Sequence, residues 1–439
     1  VATPVLRLSP LSWQQESLLL RPSPFGAGEI HTDFPVPDEV TDDELLRRAQ
    51  RLADRESALR IVDHGPDGVV QQEPLQVRLH HHTCESPADV REFIARSRHQ
   101  DFPHTPGEPR WRLTVIRHRD GGGRPARTAF ALFDHFIADR VSVALVRREL
   151  STGVPARPGD DAADGYLAWV ERQRAEFDPH THQGLAAARF WRRHLDGVSP
   201  HQATPVPVFT DAPRGDTRGT AWYSVHVALP PGAVRQACRA TAATPSVLVL
   251  SSIAATTASA CGADDLTLRL ITGGRTPGSA TTIGWLNTCV PVRLRDRELG
   301  TLRGALAATR TAWQEILPYQ HTPWEYLWRT CAPEGAPAHG WLAGHRQLVV
   351  NFFPDVVDGL TEADYADRTD DFEQQYLALY VVPLADGGFM LRLIGDAGEV
   401  DPTAARRYLD ALRDGLLAHV RESQSTDTAR VGALAGSRP

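Results

Sequence analysis

The block Asp134-His135-Phe136-Ile137-Ala138-Asp139-Arg140 is the stretch of this sequence best supplied with groups that move protons. An imidazole has an unperturbed pKa of about 6.5 and accepts a proton near neutrality. A carboxylate four residues on, Asp139, can fix the tautomer of His135 or the loop that carries it. The pattern H-x-x-x-D alone is common, and an isolated histidine is more often a satisfied structural residue. What raises its interest is position: it follows an almost wholly apolar run, Arg127 to Phe133, and charged groups placed where a buried strand stops are candidates for function.

Other reactive residue types carry less. His80-His81-His82 with Cys84 invites a metal, but successive strand residues face opposite sides, so at most His80 and His82 converge, and no companion ligands stand nearby. No metal site is expected. Gly273-Gly274-Arg275 is not followed by Lys-Ser/Thr and lacks G-x-G-x-x-G spacing, so it reads as a strand-end turn rather than a phosphate loop.

The elements that must position His135 read as alternating helix and strand. Thr41 to Asp54 puts Leu45, Leu46, Ala49 and Leu52 at helical spacing, with acids at its start and arginines after them, as a helix dipole favours. Pro87 to Ser97 is a second helical pattern. Strand candidates Arg110 to Arg117 and Arg127 to Phe133 flank a glycine-rich break and predict a hairpin, followed by a helix from about Val141 to Glu149. In Leu6 to Leu20 a polar start gives way to a helical pattern, with Ser9 or Ser12 as N-cap. Ser151 to Asp164 is a Pro/Gly/Asp-rich break, Tyr166 to Leu195 a long helix interrupted around Asp178-Pro179-His180, and Ser199 to Gly219 the best linker. Beyond it come a strand (Ala221 to Leu229), helices (Gly232 to Ala242 and Thr244 to Cys261) and a strand (Asp265 to Gly273). The rhythm predicts two α/β lobes, 1–180 and 181–439.

With 439 residues, 41% hydrophobic and 23% charged, the composition is that of a globular protein. No lysine appears; all 47 basic residues are arginine, against 54 acids, for a formal charge of −7. That balance opposes attraction to phosphate backbones, so nucleic acid is not an expected partner, and the arginine bias points to a high-GC bacterial genome. Neither a membrane-length apolar run nor a signal peptide is evident, which leaves the cytoplasm as the expected address. Five scattered cysteines predict no disulfide framework.

From about Leu8 to Val420 the order of motifs resembles the condensation domains of nonribosomal peptide synthetases. Leu11-Ser12-Trp13-Gln14-Gln15 is similar to the family's Ser-x-x-Gln opening, and Arg55 to Arg60 to its Arg-His-Glu-x-Leu-Arg. Pro109 to Leu113 leads into the His-His-x-x-x-Asp-Gly region, represented by Asp134 to Arg140. Tyr166 to Trp169 and Phe190-Trp191 follow in order. Ile283 to Thr288 with Pro291 and Arg293 resembles Ile-Gly-x-Phe-x-Asn-Thr-x-Pro-x-Arg, one residue shorter before Asn287, and Tyr319 to Glu325 resembles His-x-x-x-Pro-Phe-Glu.

The resemblance implies a chloramphenicol-acetyltransferase-like α/β fold, two lobes in a V with a central tunnel. It implies an acyltransferase of nonribosomal peptide or hybrid antibiotic biosynthesis, joining a carrier-bound acyl thioester to an amine or hydroxyl. Acyl and peptidyl carrier proteins would be its partners, a small-molecule nucleophile a possible acceptor, and phosphopantetheine on the carriers the only prosthetic group, with none bound by the chain. The resemblance makes His135, by position, the expected catalytic histidine. It further implies that Asp139 is a structural residue paired with Arg293, and that Asp134, Arg140, Trp285 and Asn287 line the tunnel.

Two departures stand out: Asp134 replaces the family's first His, and Arg140 its Gly. A charged Asp134 near His135 would favour the imidazolium, and Arg140 would oppose it. Arg140 would either narrow the tunnel or grip an anionic substrate group. Two more readings stay open. Damage to the motif marks non-catalytic members that dock carriers or recruit a tailoring enzyme, and Asp134-x-x-x-x-Asp139-x-x-Ser142 resembles the signature of heterocyclization domains.

Overall fold

The charge pattern of Asp42–Arg55 sets a helix end to end. Thr41 accepts the Glu44 N–H on its side chain at 3.1 Å, acids fill the first turn, Arg55 closes the last, and Leu45, Ala49, Leu52 and Ala53 are buried along one stripe. The structure is a computed structural model describing residues 5–20, 29–97, 107–155, 165–198, 204–210, 219–331, 347–353, 356, 365–370 and 377–435. The expected linker 199–219 lies mostly outside the described residues, as does 156–164 of the expected break.

The chain divides into two units. The first comprises 1–188 together with 273–288 and 321–330, and the second 189–272, 289–320 and 331–439. The first therefore takes back two later segments, where a single cut between 180 and 181 was expected.

In the first unit the order is β1 (Val5–Ser9), α1 (Trp13–Leu20), β2 (Glu29–Pro35), α2 (Asp42–Arg55), β3 (Ile61–Gly65), β4 (Gly68–Glu73), β5 (Leu79–Thr83), α3 (Pro87–Ser97), β6 (Trp111–Arg119), β7 (Pro125–Asp134), α4 (Arg140–Thr152), α5 (Tyr166–Glu176) and α6 (His182–His194), whose last turns belong to the second unit. β1, β4 and β3 form one small sheet, and β2-β7-β6-β5 a second. The predicted β6–β7 hairpin is present. Its turn is tied by Asp120, whose Oδ1 accepts the N–H groups of Gly122 (2.8 Å) and Arg124 (2.9 Å), while Gly123 takes a φ of +79°. Strand β7 is antiparallel to both neighbours, and Ala129 to Phe133 are buried on both faces, as a central apolar strand requires. Its inner face meets Leu45, Leu52, Val143, Val146 and Leu150 in one core, so α2 and α4 hold down the strand that ends at the motif.

In the second unit β8 (Thr220–Val227), α7 (Ala233–Thr241), α8 (Pro245–Cys261), β9 (Asp265–Thr272), β10 (Thr288–Arg295), α9 (Leu302–Ile316), β11 (Leu348–Phe352), β12 (Arg368–Asp370), β13 (Leu377–Pro383), β14 (Phe389–Asp396) and α11 (Pro402–Ala435) build a seven-stranded sheet with helices. α10 (Trp324–Cys331) falls almost entirely in the first unit. The sheet order is β10-β9-β11-β13-β14-β8-β12, with β9, β11 and β13 parallel and the remaining described pairs antiparallel. Among the described residues no single helix is long and apolar enough to cross a membrane.

Candidate active site

Two loops of the first unit meet at the end of β7: residues 134–139, and residues 273–288. Their common hub is Asp139. As N-cap of α4 it accepts the Ser142 N–H at 2.9 Å. Its other partners come from the second loop: Arg275 Nη1 donates to Oδ2 (2.6 Å) and Nη2 to Oδ1 (2.8 Å), and the N–H groups of Leu286 (3.0 Å) and Asn287 (3.1 Å) donate to Oδ2. This is a bidentate, buried ion pair, 1% exposed on the Asp side and 10% on the Arg side. Burial pushes the Asp139 carboxyl up, but the charge and hydrogen bonds of Arg275, with the Ser142 and Leu286 N–H groups, outweigh it and hold the group below its ordinary value.

The expected partner was Arg293, and this is corrected. Arg293 pairs with Asp265, Nη2 to Oδ2 at 2.6 Å, and donates to the Asp196 carbonyl, all inside the second unit. The cause is strand geometry. Asn287 touches Asp139, but Arg293 stands six residues further along an extended strand, about 20 Å on at ~3.3 Å per residue. Arg275 instead sits where Gly273-Gly274 ends β9, the turn that seemed only a strand end. Gly274 has φ +61°, and a Cβ there would meet the Leu286 carbonyl oxygen at 1.7 Å, so this glycine lets the turn lie against the Leu286–Asn287 backbone.

Ser142 fastens the same junction. Its hydroxyl donates to the Gly284 carbonyl (2.7 Å) and accepts the Gly284 N–H (3.0 Å). A Cβ on Gly284 would meet the Tyr166 ring at 2.1 Å, which requires a glycine at this position. The Tyr166 hydroxyl donates to Ser12 Oγ at 3.2 Å.

The opening Ser-x-x-Gln has a physical meaning here. It is a capping box on α1: Ser12 Oγ accepts the Gln15 N–H (3.1 Å), and Gln15 Oε1 accepts the Ser12 N–H (3.0 Å). Gln15 Nε2 then donates to the Phe136 carbonyl (3.1 Å), and Gln14 Nε2 to the carbonyls of Leu286 (3.2 Å) and Asn287 (3.3 Å). One helix start thus straps both loops.

His135 stands half-buried between these fixed points. Among the described residues its buried Nδ1 has no hydrogen-bond partner, and its ring lies 5.0 Å from that of Trp285 at 57°. Trp285 Nε1 donates to Asn287 Oδ1 at 2.6 Å, so indole and amide hold each other beside the imidazole. Asp134 does not serve the imidazole as expected. Its Oδ2 accepts Arg110 Nε (2.8 Å) and Nη2, and its Oδ1 accepts the Phe136 N–H (2.8 Å). Arg140 is the first residue of α4, partly buried.

His135, Asp134, Asp139, Arg140, Trp285 and Asn287 are thus brought together, and Arg293 is not. Arg275, Arg110 and Gln15 are site residues that the sequence did not single out, although Arg110 and Gln15 lie in stretches that match family motifs, and Ser142 entered only through the heterocyclization signature. Two of the three histidines of β5 are engaged elsewhere: His82 stacks on Phe93 (4.0 Å), and His81 Nδ1 meets Arg117 Nη1 at 3.0 Å. Among the described residues no cluster of three His, Cys, Asp or Glu is placed to hold a metal.

A family model for the condensation domain matches residues 37–345. A linear gramicidin synthase of Brevibacillus parabrevis is 24% identical over 440 residues, covering 92% of this chain and 5% of that one. FR901469 synthetase of Dothideomycetidae sp. (strain 11243) is 24% identical over 273 residues, covering 60% of this chain and 2% of that one. The chain therefore spans at most a twentieth of these curated relatives. Among solved structures, the epimerization domain of the third module of tyrocidine synthetase B superposes with a TM-score of 0.72 at 16% identity, covering 96% of this chain and 99% of that one. SgcC5 from Streptomyces globisporus gives 0.69 at 19%, covering 94% and 99%. The X-domain from teicoplanin biosynthesis gives 0.70 at 18%, covering 97% of both.

Proposed function

This chain belongs to the condensation-domain family, with its chloramphenicol-acetyltransferase-like α/β fold, and we propose that it is an acyltransferase joining a carrier-bound acyl thioester to an amine or hydroxyl acceptor. Acyl and peptidyl carrier proteins present the substrates on phosphopantetheine arms. The acceptor attacks the thioester carbonyl, a C–N or C–O bond forms, the C–S bond breaks, and the acceptor's proton ends on the departing sulfur. His135 takes that proton in passage, or holds the acceptor against the carbonyl.

One observation carries this reading: both carboxylates flanking His135 are neutralised by guanidinium groups, Asp134 by Arg110 and Asp139 by Arg275. The imidazole is left as the group of this block free to exchange a proton, and Asp139 serves as its scaffold. The same pairs weigh against heterocyclization, since Asp134, Asp139 and Ser142 are all committed to structural bonds. Incubating acyl-loaded carriers with amine and alcohol acceptors, and following the acyl mass with wild type and His135→Ala, tests the assignment.

A second reading has one residue behind it. Arg140 occupies the glycine position of the motif, and an X-domain from teicoplanin biosynthesis, described in complex with OxyB, is among the structures of this fold, with a TM-score of 0.66 at 20% identity. A chain that only docks carriers or recruits a tailoring enzyme would bind them without transfer.

A further inference from the structure

We propose that Arg110 and Asp134 are positioning residues that fix the imidazole of His135, a role resting on the reading of His135 as the working group. In hydrolytic triads an imidazole is oriented by a carboxylate on Nδ1. Here, among the described residues, Nδ1 is buried and has no hydrogen-bond partner, and the ring's direction is set by its backbone and by the Trp285 indole beside it.

The backbone is clamped on both sides of His135. Arg110 grips Asp134 twice: its carbonyl accepts the Asp134 N–H at 3.0 Å, and its guanidinium donates to Oδ2 through Nε at 2.8 Å and through Nη2. Asp134 then closes a turn over His135, its Oδ1 accepting the Phe136 N–H (2.8 Å) and its carbonyl the Ile137 N–H (3.0 Å). On the far side Phe136 is held by Gln15 at its carbonyl. Its ring lies 5.4 Å from the Arg110 guanidinium and is stacked with His64 at 4.2 Å. Arg110 and Asp134 are 7% and 5% exposed, so neither charge can be met by water if the other is lost.

The departure of this chain from the family's His-His is therefore a matched one. A neutral imidazole at 134 would leave a buried guanidinium without its carboxylate and open the turn. Restoring the motif by Asp134→His harms the site rather than improving it.

The test uses the full chain and two readouts. In Asp134→Asn and Arg110→Met, kcat falls about 10–100-fold, as expected for a misplaced catalytic group, with KM for the acyl carrier within about twofold; Arg110→Lys, which keeps a cation facing Asp134, recovers part of the loss. Crystal structures of the two variants, which need no turnover, show the His135 ring in a new or a second rotamer. If the ring keeps its place against Trp285 with the ion pair broken, the proposal is overturned, whatever the wild-type chain transfers. A kcat unchanged in a folded Asp134→Asn or Arg110→Met variant overturns it equally.

Discussion

Arg275 and Asp139 face each other in a two-pronged ion pair, Nη1 to Oδ2 at 2.6 Å and Nη2 to Oδ1 at 2.8 Å, across 136 residues of sequence. The pair joins the start of α4 to the loop carrying Trp285 and Asn287, and so ties the motif histidine to its neighbour ring.

Arg275→Ala leaves a buried carboxylate uncompensated, which costs about 3–5 kcal/mol. Chemical denaturation will show that loss in the first unit, with transfer abolished. Arg275→Lys keeps the charge but not the fork and recovers only part of it. Arg293→Ala, which removes the Asp265 partner, leaves Asp139 paired. Equal losses of transfer in Arg275→Ala and Arg293→Ala would contradict this assignment.

Asp139 also has a pH signature. Its folded value is lowered, so its contribution to stability is complete above the unfolded value of about 3.9 and disappears as pH falls through the folded one. Acid unfolding of Asp139→Asn should therefore be shallower than that of wild type below about pH 4, with lower stability at neutrality. Parallel curves down to pH 2 would refute the pairing.

The second unit responds in a milder range. Burial, with Arg295 and Arg293 adding to it, depresses His194 to about 4, and burial depresses His419 to about 4. His194 is neutral when folded, its Nε2 accepting the Arg293 N–H at 3.2 Å. The unfolded chain binds protons that the folded one refuses between about pH 6.5 and 4, so stability is full above that window and falls as pH drops across it. His194 accounts for on the order of 3 kcal/mol, and the more exposed His419 for less. Melting of His194→Gln should be less pH-dependent than wild type over that interval; an identical slope would count against the buried neutral imidazole.

Gly274→Ala places a methyl group on the Leu286 carbonyl oxygen and forces a side chain to φ +61°. It should lower the melting temperature and the transfer rate together. A variant with full activity would mean that the turn does not aim Arg275.

Much of this is legible in the sequence alone. The hairpin, α2 and α4 follow from patterning and caps, and Asp134 to Arg140 stood out because charged groups end an apolar strand. What sequence could not supply was partnership. Arg293 looked right because it shares a motif with Asn287, yet a strand carries it about 20 Å onward. Arg275 looked like turn filler because its role exists only once Gly274 packs on Leu286. Arg110 lay inside a stretch already matched to the family, but nothing in one chain says that position 110 is opposite 134 until the strands are paired.

The proposed transfer depends most directly on His135. Carrier proteins loaded with a panel of acyl groups, incubated with amines and alcohols and weighed intact, should lose the acyl mass to a coupled product with wild type and not with folded His135→Ala. Coupling at an undiminished rate by His135→Ala would contradict the role given to that imidazole, and absence of coupling by wild type across the panel, with carrier binding retained, would favour docking over catalysis.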